Sequence, residues 1–247
     1  MACEAIICDW NGTITCDRDE RPILSSIAVH IFKASIPCHP FRMAHILRAR
    51  RELEALYRHK RQDADFDFVT EMFHIYNERI LRGVPVAWIR RSVDDYAGRQ
   101  ETQEKLDRRI LRPIDRRHRD GTTTGILSAG YRDGIQRVLK SVGYEHSFDF
   151  YQANLLEEES GKAIRLELDI YKNKSQLLLK LLRERDLDER DVVYVGDSDG
   201  DAGCFEIVGH PVVAFLTPEE LKEWFAAKYD AFVPKDEAEL AGYLSSL

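Results

Sequence analysis

A chain of 247 residues with 44% apolar and 32% charged residues has the material for a packed core, and its formal net charge of −7 sets it apart from the basic nucleic-acid binders. Its apolar runs all fall short of the ~18 residues of a membrane helix, and no basic segment followed by an apolar stretch opens it, so a cytoplasmic protein without a membrane or nucleic-acid partner is expected. Five cysteines, Cys3, Cys8, Cys16, Cys38 and Cys204, are scattered without a Cys-x-x-Cys pair, which speaks against a disulfide framework or a zinc site and predicts reduced thiols.

The first predicted element is the apolar run 5–8, a short buried strand. It ends abruptly in Asp9 and Trp10, followed by the turn signal Asn11-Gly12 and then Thr13. In an open parallel sheet the carboxyl ends of the strands face the ligand crevice, which aims Asp9 at whatever binds there. Taken alone, Asp9 serves equally well as a turn cap and Gly12 as the turn itself.

Polar residues 16–20 read as a linker. Apolar positions then recur at helical spacing over 23–34, 41–61, 66–81 and 86–96, with a stop at Ile36-Pro37, another at Arg82-Gly83, Pro85 opening the last stretch and Gly98 just past its end. Pro113 and the charged run 115–120 close this helical region. Residues 14–120 carry 22 Lys/Arg against 17 Asp/Glu, whereas 121–247 carry 14 against 24. A mildly basic insert over an acidic core fits solvated helix faces, and it also fits the steering of an anionic small substrate. The cationic residues Arg42, Arg48, Arg50, Arg51, Arg58, Lys60 and Arg61 follow helical spacing only loosely, so several of them face solvent.

Residues 122–127 form a β-branched strand leading to Ser128, and 131–142 a helix stopped by Gly143. A short strand over 148–152 precedes a hairpin within 154–169. Beyond it come a Leu-rich helix from Lys174, a strand over 192–195 and the acidic loop Gly196-Asp197-Ser198-Asp199-Gly200-Asp201. A strand over 212–215, a helix from Pro218, a short strand over 231–233 and a helix over 237–244 complete the chain. Strands alternating with helices imply parallel βαβ units, hence a three-layer, doubly wound α/β core. The expected division is a core of 1–15 and 114–247 and an all-helical cap of 16–113.

A strand-end Asp with Gly-Thr, a strand-end Ser, a Lys and then Gly-Asp-x-x-x-Asp, in that order, resembles the haloacid dehalogenase superfamily over 1–13 and about 121–215, its phosphoserine phosphatase-like branch above all. The resemblance implies a phosphotransfer site. Asp9 would be the nucleophile that forms an aspartyl-phosphate. Asp9, Asp197 and the backbone carbonyl of Asn11 would hold Mg²⁺, with Asp201 orienting metal-bound water or Lys174. Lys174 would neutralise the phosphate and keep Asp9 ionised, although Lys172 stands close enough in sequence to compete for that role. Thr13, Ser128 and the amides of Ala129 and Gly130 at a helix N-terminus would cradle a phosphate oxygen. The implied activity is a Mg²⁺-dependent phosphatase on a small phosphorylated metabolite; the oligomeric state stays open.

Asn11 departs from the pattern. Phosphatases of this superfamily usually carry Asp there, to protonate the leaving group and then activate water, and losing such a catalyst costs about 10²- to 10⁴-fold. Two alternatives follow from it: a catalytically impaired protein that binds or senses a phosphorylated ligand, and a phosphonatase-like hydrolase. The latter needs a cap lysine, and the insert offers Lys33, Lys60 and Lys105 without a recognisable setting. A purely structural scaffold is the third.

Overall fold

The computed structural model describes residues 3–36, 39–60 and 66–247; Pro37, Cys38 and Arg61 lie outside the described residues. In chain order the elements are β1 (Ala5–Cys8), α1 (Arg21–Ser35), α2 (Pro40–Lys60), α3 (Phe68–Ile75) running into a π-helical turn (Tyr76–Leu81), α4 (Val86–Ala97), α5 (Gln100–Glu104) and α6 (Arg108–Arg119). They continue with β2 (Thr123–Tyr131), α7 (Arg132–Ser141), β3 (Phe150–Asn154), β4 (Leu156–Glu159), β5 (Lys162–Leu166), α8 (Asp169–Glu184), β6 (Val192–Gly196), α9 (Ala202–Phe205), β7 (His210–Val213), α10 (Glu219–Tyr229) and α11 (Glu237–Ser246). None of the described helices is long and apolar enough to cross a membrane.

Five strands form a sheet in the order β3-β2-β1-β6-β7, with β1 parallel to both β2 and β6, and β6 parallel to β7. The chain therefore fills one side of β1 first and the other side later, which makes the carboxyl end of β1 the point where the winding reverses. All four residues of β1 are fully buried. Ala5 and Ile7 join Tyr194, Leu178, Cys204, Phe205 and Phe225 in one apolar cluster, while Ile6 and Cys8 point the other way and are equally enclosed. Burial on both faces explains why β1 reads as a continuous apolar run rather than an alternating one. The doubly wound α/β core expected from sequence is the core observed.

The chain divides into two compact units, 1–20 with 98–153 and 169–247, and 21–97 with 154–168. Three segments, 16–20, 98–113 and 154–168, thus fall on other sides of the expected boundaries. Residues 98–113 belong with the sheet, because Asp107 N donates to Ile14 O at 2.7 Å, Cys16 N donates to Lys105 O at 2.9 Å, and Lys105 pairs with Asp17 at 2.8 Å. Pro113 does not close the insert but lies inside α6, whose Ile110, Leu111 and Ile114 are buried and which Asp107 caps through Arg109 N. Burial of that apolar stripe outweighs the one backbone hydrogen bond that Pro113 removes.

The inserted segment 21–97 is helical where described, as expected, but its unit also takes in the β4-β5 hairpin from later in the chain. Gly83 N donates to Ala163 O, Ala163 N to Val84 O and Val86 N to Gly161 O, and the Asn77 side chain both accepts from Leu166 N and donates to Leu166 O. The predicted strand over 231–233 survives only as a single bridge between Phe232 and Val212.

Candidate active site

Register decides the site. Cys8 lies opposite Ile126 of β2 and opposite Val195 of β6, so the residues just past these three partners lie side by side. Asp9 follows β1, Asp197 follows β6, and Ser128 lies two residues past the β2 partner. Two glycines let the loops meet. Gly12 has φ +75°, and a Cβ there would stand 2.1 Å from Asp197 Oδ2. A Cβ on Gly196 would stand 2.6 Å from Asp201 Cγ. No side chain fits at either position without moving a carboxylate.

The carboxylates of Asp9, Asp197 and Asp201 place one oxygen each within 4.8 Å of one another. Lys174 Nζ reaches two of them, 3.1 Å from Asp9 Oδ1 and 2.5 Å from Asp201 Oδ1. The residue in contact is Lys174, not Lys172. α8 breaks at Asn173, where φ −122° and ψ 19° interrupt the helix just before Lys174, whereas Lys172 is exposed. Asp201 is fully buried and its oxygens are heavily used. Oδ1 also accepts from Tyr194 OH at 2.8 Å, and Oδ2 accepts from Asp197 N, Ser198 N and Ser198 Oγ, each at 3.1 Å. Thr13 Oγ1 donates to Asp197 Oδ1 at 3.2 Å, and the Ser128 hydroxyl near Asp9 helps to hold that carboxyl down.

The charges do not balance. Burial, reinforced by the charges of Asp9 and Asp201, pushes the Asp197 carboxyl up to about 8. Burial also raises Asp9, against the opposing charge of Lys174. Burial would likewise raise Asp201, but Lys174 and the hydrogen bonds it accepts hold it below the usual carboxylate range. Burial alone would lower Lys174; the Asp201 and Asp9 charges outweigh it and hold the amine protonated. Two buried acids and the half-buried Asp197 against one amine leave room for a cation, and an all-oxygen donor set suits a hard divalent ion.

The expected phosphate cradle is built differently from its prediction. β2 continues through Tyr131, so Ser128, Ala129 and Gly130 lie on the strand rather than at a helix N-terminus; α7 starts only at Arg132. Gly130 N donates to Ser128 Oγ at 3.1 Å. Pairing with β1 ends at Ile126, and β2 runs on through this segment beyond it.

One residue of this site escaped the sequence reading. Glu20, placed in a linker, is 8% exposed, accepts from Asn11 Nδ2 at 2.9 Å through Oε1, and that same Oε1 would stand 2.8 Å from a Cβ at Gly130. Burial raises its carboxyl to about 7, the Asn11 hydrogen bond partly opposing. A single acid inside a polar run carries no periodic signal, so only the folded chain reveals it.

Comparison with known proteins agrees with this geometry. The sequence matches the haloacid dehalogenase-like hydrolases over residues 6–206, and no curated protein matches it. Among solved structures, an apo phosphoserine phosphatase aligns at TM-score 0.59 and 17% identity, covering 98% of each chain. A probable phosphoserine phosphatase from Vibrio cholerae aligns at TM-score 0.65 and 16% identity, covering 98% of this chain and 64% of that one. A cytosolic 5'-nucleotidase IIIB bound to cytidine aligns at TM-score 0.65 and 17% identity, covering 98% and 86%. At such identities the structural likeness speaks for the fold, and it is the match over residues 6–206, read on a site assembled along three adjacent strands, that assigns this chain to the haloacid dehalogenase-like hydrolase family.

Proposed function

We propose that the chain is a Mg²⁺-dependent phosphatase of small phosphorylated metabolites. The observation that carries this reading is the Lys174 amine lying between Asp9 and Asp201 beside a third acid, Asp197, that pairs with no cation among the described residues. Phosphoryl transfer demands that assembly: an anionic nucleophile, positive charge to offset the phosphate, and fixed donors around the equatorial oxygens. Asp9 and Asp197, with the Asn11 carbonyl and Asp201 completing the set, would hold Mg²⁺, which when bound screens the nucleophile from the phosphate dianion.

Within this reading an Asp9 carboxylate oxygen attacks phosphorus, the bond to the leaving oxygen breaks, and the leaving oxygen takes its proton from solvent water, since the Asn11 amide has none to give. Water then attacks the aspartyl-phosphate and releases phosphate. Lys174 keeps Asp9 ionised and carries the charge that offsets the phosphate. Thr13 holds Asp197 in place, and Ser128 with the strand segment through Gly130 supplies donors to phosphate oxygens. Asp201 positions Lys174 and ties the acidic loop to the strand end. The likeness to phosphoserine phosphatases and to a nucleotidase supports a phosphomonoester as the substrate class.

A panel of phosphomonoesters assayed with Mg²⁺ and with EDTA tests the proposal. Turnover of at least one ester, abolished by chelation and restored by Mg²⁺, is the expected result; metal-independent turnover, or none on any ester, would overturn it.

Asn11 sets a second expectation. Its amide is engaged by Glu20, so an Asp at position 11 would face a carboxyl at hydrogen-bond distance. The single Asn11→Asp variant is therefore expected to be crowded by like charges, whereas Asn11→Asp combined with Glu20→Gln keeps the contact and supplies the missing acid. Relative to Glu20→Gln alone, the double variant should turn over about 10²-fold faster or more if proton transfer limits the reaction. Equal rates would place the slow step elsewhere.

A further inference from the structure

The helical unit carries an open cavity of about 610 Å³ between α1, α2 and the π-helical turn. Ala28, Phe32, Ile46, Leu53 and Ile80 are among its walls. Around its opening Val29, Ile36 and Leu47 remain 52%, 56% and 49% exposed, which is three large apolar side chains left to water in one place. Concave, mostly apolar spaces of ~300 to 1,000 Å³ with a few polar groups at one end are the usual form of small-molecule sites. The polar groups here have a net sign. Arg50 Nε is spent on Glu54 at 2.9 Å, within the same helix, while Lys33 reaches no acid among the described residues.

We propose that this cavity binds a single-chain anionic amphiphile, the alkyl chain filling the space between α1 and α2 and the anionic head meeting Lys33. Charge favours this occupant over a second copy of the chain. A two-fold contact would bring the same surface to itself, setting one net-positive rim against another, whereas a carboxylate, sulfate or phosphate head complements it. The site shares no residue with the acidic cluster, so it stands or falls independently of the proposed phosphatase activity.

Isothermal titration of the full chain with octanoate, decanoate and dodecanoate, all below their micellar concentrations, and with decyltrimethylammonium tests this. Burial of methylenes predicts affinity rising by roughly tenfold for each two carbons added. Decanoate should bind about fivefold or more tightly than the cationic decyl probe, and Lys33→Glu should weaken decanoate by a similar factor. Ala28→Trp, which fills the cavity, should abolish binding while circular dichroism reports an intact helical fold; if that variant does not fold, Lys33→Glu carries the test. Affinity independent of chain length, or equal for both head charges, would overturn the proposal. So would a dimer in light scattering that Leu47→Arg disrupts while no amphiphile binds, because the groove would then belong to a second copy.

Discussion

Asp9→Asn is expected to lower turnover by about 10⁴-fold or more, the scale on which enzymes lose rate when a nucleophile is removed, with the chain still folded. The variant also has a signature that does not need a substrate. In the metal-free protein Asp197 is raised to about 8 by burial and by its acidic neighbours. Between the ordinary carboxylate value of 3.8 and about 8, the folded chain holds a proton that the unfolded chain has released, so stability falls as pH rises across that window. Removing the Asp9 charge takes away the larger of the two neighbouring charges that raise Asp197, and should flatten this fall. Thermal unfolding from pH 4 to 8 with EDTA measures both slopes. Identical slopes in the two proteins would mean that Asp9 and Asp197 do not sense one another, and the site as described would be wrong.

Lys174→Met is expected to be the most destabilising substitution in the site. The Lys174 side chain is 10% exposed, and its partners Asp9 and Asp201 are 9% and 0% exposed. Removing one partner of a buried ion pair leaves the other charge uncompensated, which costs about 3 to 5 kcal/mol. Here two acids lose the same amine. Part of the cost is recovered as Asp9 takes up a proton, so the loss should be smaller at acid pH than at pH 8. Urea unfolding at pH 5 and pH 8 checks this, and a loss below about 1 kcal/mol, the level of a surface ion pair, would contradict the burial and geometry described. Turnover should fall as well, because the amine that keeps Asp9 ionised and offsets the phosphate is gone. Added Mg²⁺ should restore part of the stability but not the rate.

The sequence by itself determined the central strand, the alternation of strands and helices and the order of the four motifs, because these are written in local signals: an apolar run broken by Asp9, a β-branched run before Ser128, a Leu-rich helix after Lys174 and a glycine on either side of Asp197. Such signals depend on neighbours a few residues away, and the chain obeys them wherever burial follows the same period. Tertiary structure alone decided what depends on distant partners. Lys174 rather than Lys172 enters the site because the helix breaks at Asn173. Pro113 stays inside a helix because a buried stripe of three aliphatic residues holds it there. The hairpin joins the helical unit because Asn77 and Gly83 capture its backbone, and Glu20 becomes a buried neighbour of Asn11 because the loop after β1 folds back toward Gly130. The hairpin and Glu20 contacts with Gly83, Asn77 and Gly130 join segments far apart in the chain and leave no periodic trace in either, while the break at Asn173 and the tolerance of Pro113 show only once burial is known.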